Sequence, residues 1–254
     1  MTGNTTIDGS TTAEWVRDGP YEEYERRLHE LHSMDLGPAL SRRAAPKYAR
    51  DSSRSVPSFS PIPYPGCTVL AKPYPLDLPG LAAARRSFSV LSDAFAAVPV
   101  ETFHVTLADL VVGRSCEQLK NRECEEVVHQ VRAIIALWHP PIPIRSKLIG
   151  LHAFPGALVG LVAFENKSHY EALVSLRRDI YTDQRLRALG VRWHFPLIAH
   201  VTIGYLEAAP SAEFIREVAR KDPEVTEAFE IHGADVFTFP HMSCYEATHE
   251  PGHS

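Results

Sequence analysis

The chain has 254 residues, of which 44% are apolar and 22% charged, with a formal net charge of -5. That is enough apolar side chain for a sizeable core, and too acidic a balance for a protein that grips duplex DNA along its backbone. A small nucleotide or a single RNA end needs only a local cluster of donors and stays open.

In chain order, residues 1–65 differ from the rest and read as an N-terminal extension. The opening "MTGNTTIDGSTT" is polar, lacks the apolar h-region of a signal peptide, and is expected to be disordered. "GPYEEYERRLHELHSM" (19–34) predicts a short helix with Tyr21, Tyr24, Leu28 and Leu31 along one stripe. "SRRAAPKYARDSSRSVPSFSPIPYPG" is basic and rich in Ser and Pro, so an irregular, loop-like arm is expected. The extension has two readings: a flexible tail packed loosely on the domain, or a lid or partner-docking segment.

From residue 66 to 254, strand and helix patterns alternate. "CTVLAK" predicts a strand, "LPGLAAARRSFSVLSDAFAAV" a helix and "FHVTLADLVV" a strand. A long helix, "SCEQLKNRECEEVVHQVRAIIALW", ends before the Pro-rich "HPPIP". "IRSKLIGLHAF" and "ALVGLVAFE" predict two strands joined by a Pro-Gly turn. Next come the helix "SHYEALVSLRRDIYTDQRLRALG", with Gly190 as its C-cap, the strand "LIAHVTIGYL", the helix "SAEFIREVARK" and a last strand "ADVFTF". Strand, helix and H-V-T strand occur in this order twice. The expected fold class is therefore α+β: two pseudo-symmetric β-α-β lobes with antiparallel sheets facing a central cleft.

Cys67, Cys116, Cys124 and Cys244 show no C-x-x-C spacing, which argues against a zinc knuckle. Cys116 and Cys124, if on one helix, lie roughly 12 Å apart along it, too far for a disulfide. No apolar run has the length of a membrane span. The expectation is a cytoplasmic monomer without a membrane partner, and with no cofactor.

The chemistry concentrates in the repeated motif. "HVTL" (104–107) and "HVTI" (200–203) each sit in a strand, where alternation puts His104 and Thr106 on one face, and His200 and Thr202 on one face. Two lobes facing each other would bring the strands together. A pair of imidazoles near pKa 6.5 can hold one neutral and one charged member at neutral pH. The neutral one can take a proton from an attacking hydroxyl, the charged one can give a proton to a leaving oxygen, and the threonines can donate to phosphate oxygens. A metal site is not expected, because nothing near either motif completes the three or four ligands zinc wants. Asp109, five residues beyond His104, has the opposite strand parity.

With these residues the chain, from about Gly66 to Phe239, resembles the 2H phosphoesterase superfamily, whose members carry two His-x-Thr/Ser-hydrophobic motifs on facing β-α-β lobes. The resemblance implies a metal-independent hydrolase acting on a 2',3'-cyclic phosphate, a 2'-5' linkage or another phosphodiester of a nucleotide or RNA terminus. By position it implies His104 and His200 as the acid/base pair and Thr106 and Thr202 as phosphate ligands. In hydrolysis of a cyclic phosphate the first histidine of such a pair usually serves as base and the second as acid, with the roles exchanged in the reverse direction. The extension lies outside the common core. A non-catalytic nucleotide- or RNA-binding module on the same fold, or a phosphodiesterase for a non-nucleic substrate, are the rival readings.

Around the pair, Tyr205 faces away from Thr202 on an unbroken strand, unless Gly204 bulges it. Trp193, in "RWHF" (192–195), is placed either to stack on a base or to plug the preceding helix, and Phe195 likewise. Phe239 and His241, in "FTFPHM", share a strand face near the chain end and are candidate cleft residues. Arg145 and Lys147 alternate on a strand and offer either a phosphate contact or a solvated surface.

Overall fold

The computed structural model describes residues 18–40, 47–51, 58–112, 121–242 and 244–247. The expected disorder of 1–12, the placement of Cys116 and the first turn of the long helix lie outside them, as do His249 and His253.

The molecule is built on one ten-stranded sheet in which every pairing is antiparallel. Its central strands are β3 (Gly66–Ala71), β6 (Val105–Val112), β9 (His200–Leu206) and β8 (Ala157–Phe164), adjacent in that order. β11 (Asp235–His241) and β12 (Cys244–Ala247) extend it beyond β3; β7 (Ile144–Phe154), β10 (Ala228–Ile231) and β4 (Pro73–Tyr74) extend it beyond β8. Short β5 (Phe95–Ala97) lies on β9. The expected α+β class and its antiparallel pairing are both present. β3 leads through α3 (Pro79–Leu91) to β6, α4 (Asn121–Leu137) follows, and β8 leads through α5 (Lys167–Thr182) to β9. The two H-V-T strands are neighbours at the centre, joined at Val105–Val201.

Local departures from expectation have simple causes. The helix expected through residue 98 stops at Leu91, because Ser92 turns extended and Phe95–Ala97 pairs with β9. The helix expected over 168–190 is two, α5 and α6 (Gln184–Ala188). Asp183 breaks it in extended conformation, its carboxylate accepting from the Leu186 N–H at 2.9 Å. Gly190 does end the second, at φ +91°. β10 and β12 were too short and too weakly alternating to read.

The N-terminal residues from Asp18 on contribute to the core. Helix α1 (Tyr21–His32) lays Tyr24 and Leu28 against β8 and α5, each almost fully buried, and α2 (Leu36–Leu40) adds Leu40. The Tyr24 hydroxyl donates to the Val162 carbonyl at 2.6 Å, and Tyr170 stacks on its ring at 4.7 Å. The "irregular" arm holds a two-stranded hairpin, β1 (Tyr48–Asp51) with β2 (Ser58–Pro61). Among the described residues no helix is long and apolar enough to cross a membrane.

Candidate active site

The Val105–Val201 pair is antiparallel. Continued by one residue each way, that register sets Thr202 opposite His104 and His200 opposite Thr106. The four side chains thus occur as two crossed His/Thr pairs about a local two-fold. Val105 and Val201 themselves point into the core, both fully buried.

Each imidazole is held the same way. His104 Nδ1 lies 2.6 Å from the Thr102 carbonyl, and His200 Nδ1 lies 2.7 Å from the Ile198 carbonyl. A carbonyl only accepts, so Nδ1 carries the hydrogen in both rings and Nε2 is left as the working nitrogen. Aromatic edges fix the ring planes: Tyr245 meets His104 at 4.5 Å, and Phe154 meets His200 at 5.0 Å. Buried His152 backs Phe154 at 5.1 Å.

The two histidines differ in charge environment. Burial pushes the His104 pKa down to about 4; its bond to the Thr102 carbonyl opposes this, and His200 and Lys72 add to it. Burial also lowers His200, but there the Ile198 carbonyl and the carboxylate of Asp109 both pull upward. Both imidazoles are thus held toward the neutral form, with Lys72 disfavouring a proton on His104 and Asp109 favouring one on His200.

Asp109 corrects the parity expected from sequence. Across β3, Val69 pairs with Ala108 and Leu70 with Thr106, so Leu107 is an extra residue, a β-bulge. The bulge turns Asp109 to the face of Thr106: Leu107 and Ala108 are both buried while Asp109 is exposed to the cleft. The cleft walls nevertheless strip most of its solvent, and burial raises its carboxyl pKa against the pull of Arg177, His200, Thr68 and His194.

The second motif does the same. Leu158 pairs with Gly204 and Val159 with Thr202, making Ile203 the bulge. Tyr205 consequently turns to the Thr202 side. Its buried ring lies 5.7 Å from Tyr48, and burial with Tyr245 and Tyr48 nearby raises its hydroxyl pKa well above the ordinary value. Gly204 is required by close packing rather than by the bulge, since a Cβ there would lie 2.2 Å from the Phe95 ring.

A cavity of about 420 Å³ opens beside the motifs, lined by Thr106, Asp109 and His200 on the sheet side and by Arg177, Tyr181 and Phe195 opposite. Phe195 is 73% exposed at its mouth. Trp193 instead stacks on Tyr181 at 5.3 Å, plugging α5, and does not line the cavity. Phe239 is buried against Gly66 and Tyr245, beside a separate small pocket of about 240 Å³. His241 is half-buried where β11 meets β12, opposite Cys244. Arg145 and Lys147 lie at another cavity, of about 710 Å³, between α1 and the β7, β8 and β10 strands, with Arg145 set between Glu165 and Glu230. Residues that sequence reasoning missed are Asp109, Tyr245 and Lys72. Only the bulges, which have no sequence signature of their own here, would have pointed to Asp109. Among the described residues no group of three His, Cys, Asp or Glu side chains is placed to hold a metal.

No family model matches the chain, and no curated protein matches it. Among solved structures, a conserved protein of unknown function from Agrobacterium tumefaciens str. C58, ATU0111, is similar at TM-score 0.50 and 13% identity, covering 94% of this chain and 98% of that one. A phosphoesterase is similar at TM-score 0.48 and 12% identity, over 74% of this chain and 97% of that one. E. coli LigT complexed with 3'-AMP is similar at TM-score 0.46 and 12% identity, over 73% and 96%.

Proposed function

We propose that the chain is a phosphodiester hydrolase of the 2H type, acting on a cyclic phosphate or 2'-5' linkage of a nucleotide or RNA end through paired imidazoles. The observation that carries the reading is the matched anchoring of His104 and His200: each Nδ1 is bonded to the carbonyl two residues upstream, which leaves two Nε2 atoms for proton transfer. With a threonine across from each, the cleft offers a base, an acid and two hydroxyl donors around one phosphate.

In this reading His104 Nε2 takes a proton from water as its oxygen attacks phosphorus. The bond from phosphorus to the leaving ribose oxygen breaks, and His200 Nε2 gives that oxygen its proton. Thr106 and Thr202 donate to the non-bridging oxygens as charge builds on them. The product is a phosphomonoester, and the imidazoles exchange protons with solvent to reset. The charge environment supports this division of labour, since Lys72 disfavours a proton on His104 while Asp109 favours one on His200.

The test is turnover of 2',3'-cyclic mononucleotides and 2'-5' dinucleotides by wild type, His104→Ala and His200→Ala, with and without EDTA. General acid and base catalysis each contribute about 10²–10⁴-fold, so each variant should lose at least that much of kcat/KM, and chelator should leave wild type unchanged. Binding of these compounds with no product after long incubation would identify a binding module instead; turnover restricted to non-nucleic diesters would move the substrate class.

A further inference from the structure

The two bulges turn unlike side chains to the motif face, Asp109 after the first motif, where it lines the cavity, and Tyr205 after the second, where it is buried against Tyr48. A carboxylate is an unexpected occupant of a site meant for an anion. It is also short of partners: among the described residues its one side-chain hydrogen bond is from the Thr68 hydroxyl at 3.5 Å, and that hydroxyl also donates to the Ala108 carbonyl at 2.9 Å. Arg177 and His200 act on it electrostatically, but neither makes an ion pair with it. Among the described residues lining the cavity, Arg177 is the only Arg or Lys. Its guanidinium is committed to Asp18 at 2.7 Å, to the Phe195 carbonyl at 2.8 Å and to the Leu107 carbonyl.

On the reading of the site given above, we infer that Asp109 is a specificity-determining residue: it selects a phosphodiester whose flanking group presents a hydrogen-bond donor, a free 5'-hydroxyl, and rejects one that carries a second phosphate. Two physical effects act together. The free oxygens of the carboxylate accept from a hydroxyl, and a cavity of about 420 Å³ keeps any second phosphate within roughly one Debye length, 8–10 Å, where salt screens poorly. The reacting phosphate escapes this repulsion because the histidines and threonines surround it, and Lys72 lies on the His104 side.

The experiment compares kcat/KM for matched pairs with and without a 5'-phosphate, adenosine 2',3'-cyclic phosphate and 2'-5' diadenosine, in wild type and Asp109→Asn. Wild type is expected to prefer the 5'-hydroxyl member by tenfold or more. Asp109→Asn, which keeps the shape and removes the charge, is expected to cut that ratio to within about threefold. Equal or better use of the 5'-phosphorylated member by wild type overturns the inference, and this holds whether or not the variant folds. An unchanged preference in a folded Asp109→Asn overturns it too, since selectivity would then lie elsewhere. Absence of turnover on either diester defeats the hydrolase reading itself, and the inference with it; a wild type that turns over both members equally defeats the inference alone.

Discussion

Arg177, on α5, donates a hydrogen bond to the carbonyl of Leu107, the bulge residue of the first motif. A bulge leaves its extra residue out of the ladder with β3, and the guanidinium supplies a donor there. The same group holds the Phe195 carbonyl, and Asp18 neutralises it with both side chains almost wholly buried. One cation therefore ties the N-terminal segment, the first motif and the loop at the cavity mouth together.

Arg177→Met is expected to destabilise strongly, because it leaves the buried Asp18 carboxylate without its counter-charge, held among the described residues by the Leu197 N–H alone. Breaking such a pair costs about 3–5 kcal/mol, which for a chain of this size is a fall in Tm of roughly 6–20 °C. Thermal unfolding followed by circular dichroism checks it. A double variant, Asp18→Asn with Arg177→Met, should recover part of the loss; a double variant no better than the single one would show that the ion pair is not the cause.

Removal of residues 1–40 should abolish cooperative folding rather than adjust KM, since it exposes the surfaces that Tyr24, Leu28 and Leu40 cover. The gentler Tyr24→Phe removes only the bond to the Val162 carbonyl and should cost about 1–3 kcal/mol, the penalty for a buried acceptor left unpaired. A truncated chain with a sharp unfolding transition and wild-type kcat would contradict this and restore the tail to a dispensable role.

The pH profile of kcat/KM should be a bell displaced to acid. A base must be neutral, so activity rises as pH passes the His104 pKa of about 4. An acid must be charged, so activity falls as pH rises through the His200 pKa, which lies below the ordinary 6.5. Asp109→Asn removes a charge that favours imidazolium at His200 and should move the alkaline limb to still lower pH, with the acid limb nearly in place. An optimum above pH 7 for free enzyme would reverse the assignment of environments made here.

Thr106→Val and Thr202→Val keep shape and delete one donor each. The loss should fall mainly on kcat, by about 10²-fold, if the hydroxyls act on charge that develops in the transition state. A pure rise in KM for both would make them ground-state ligands.

The fold class and the central pair were legible because their signals are local and repeated: strand alternation, helical stripes and two copies of H-V-T-aliphatic. What escaped the sequence depended on register. Parity put Asp109 on the wrong face and made the orientation of Tyr205 conditional, and the bulges at Leu107 and Ile203 decide both. Trp193 and Phe195 offered the same chemistry two residues apart, and only the Tyr181 ring separates plug from cavity wall. The N-terminal helix was visible as a stripe, but its burial depended on partners, Val162, Tyr170 and Arg177, more than 100 residues away in sequence.

The matched bulges also say where the two halves of the molecule are free to diverge. Through the fourth residue of each motif the halves are interchangeable in kind, with histidine, valine, threonine and a branched aliphatic residue under the same constraints. At the sixth, counting from histidine, they part: an acid on one side, a phenol on the other. A symmetric frame cannot tell the two ends of a bound molecule apart, and catalysis that needs one entering and one leaving oxygen must. In this chain the handedness of the site is written at Asp109 and Tyr205, outside the signature that makes the pair recognisable.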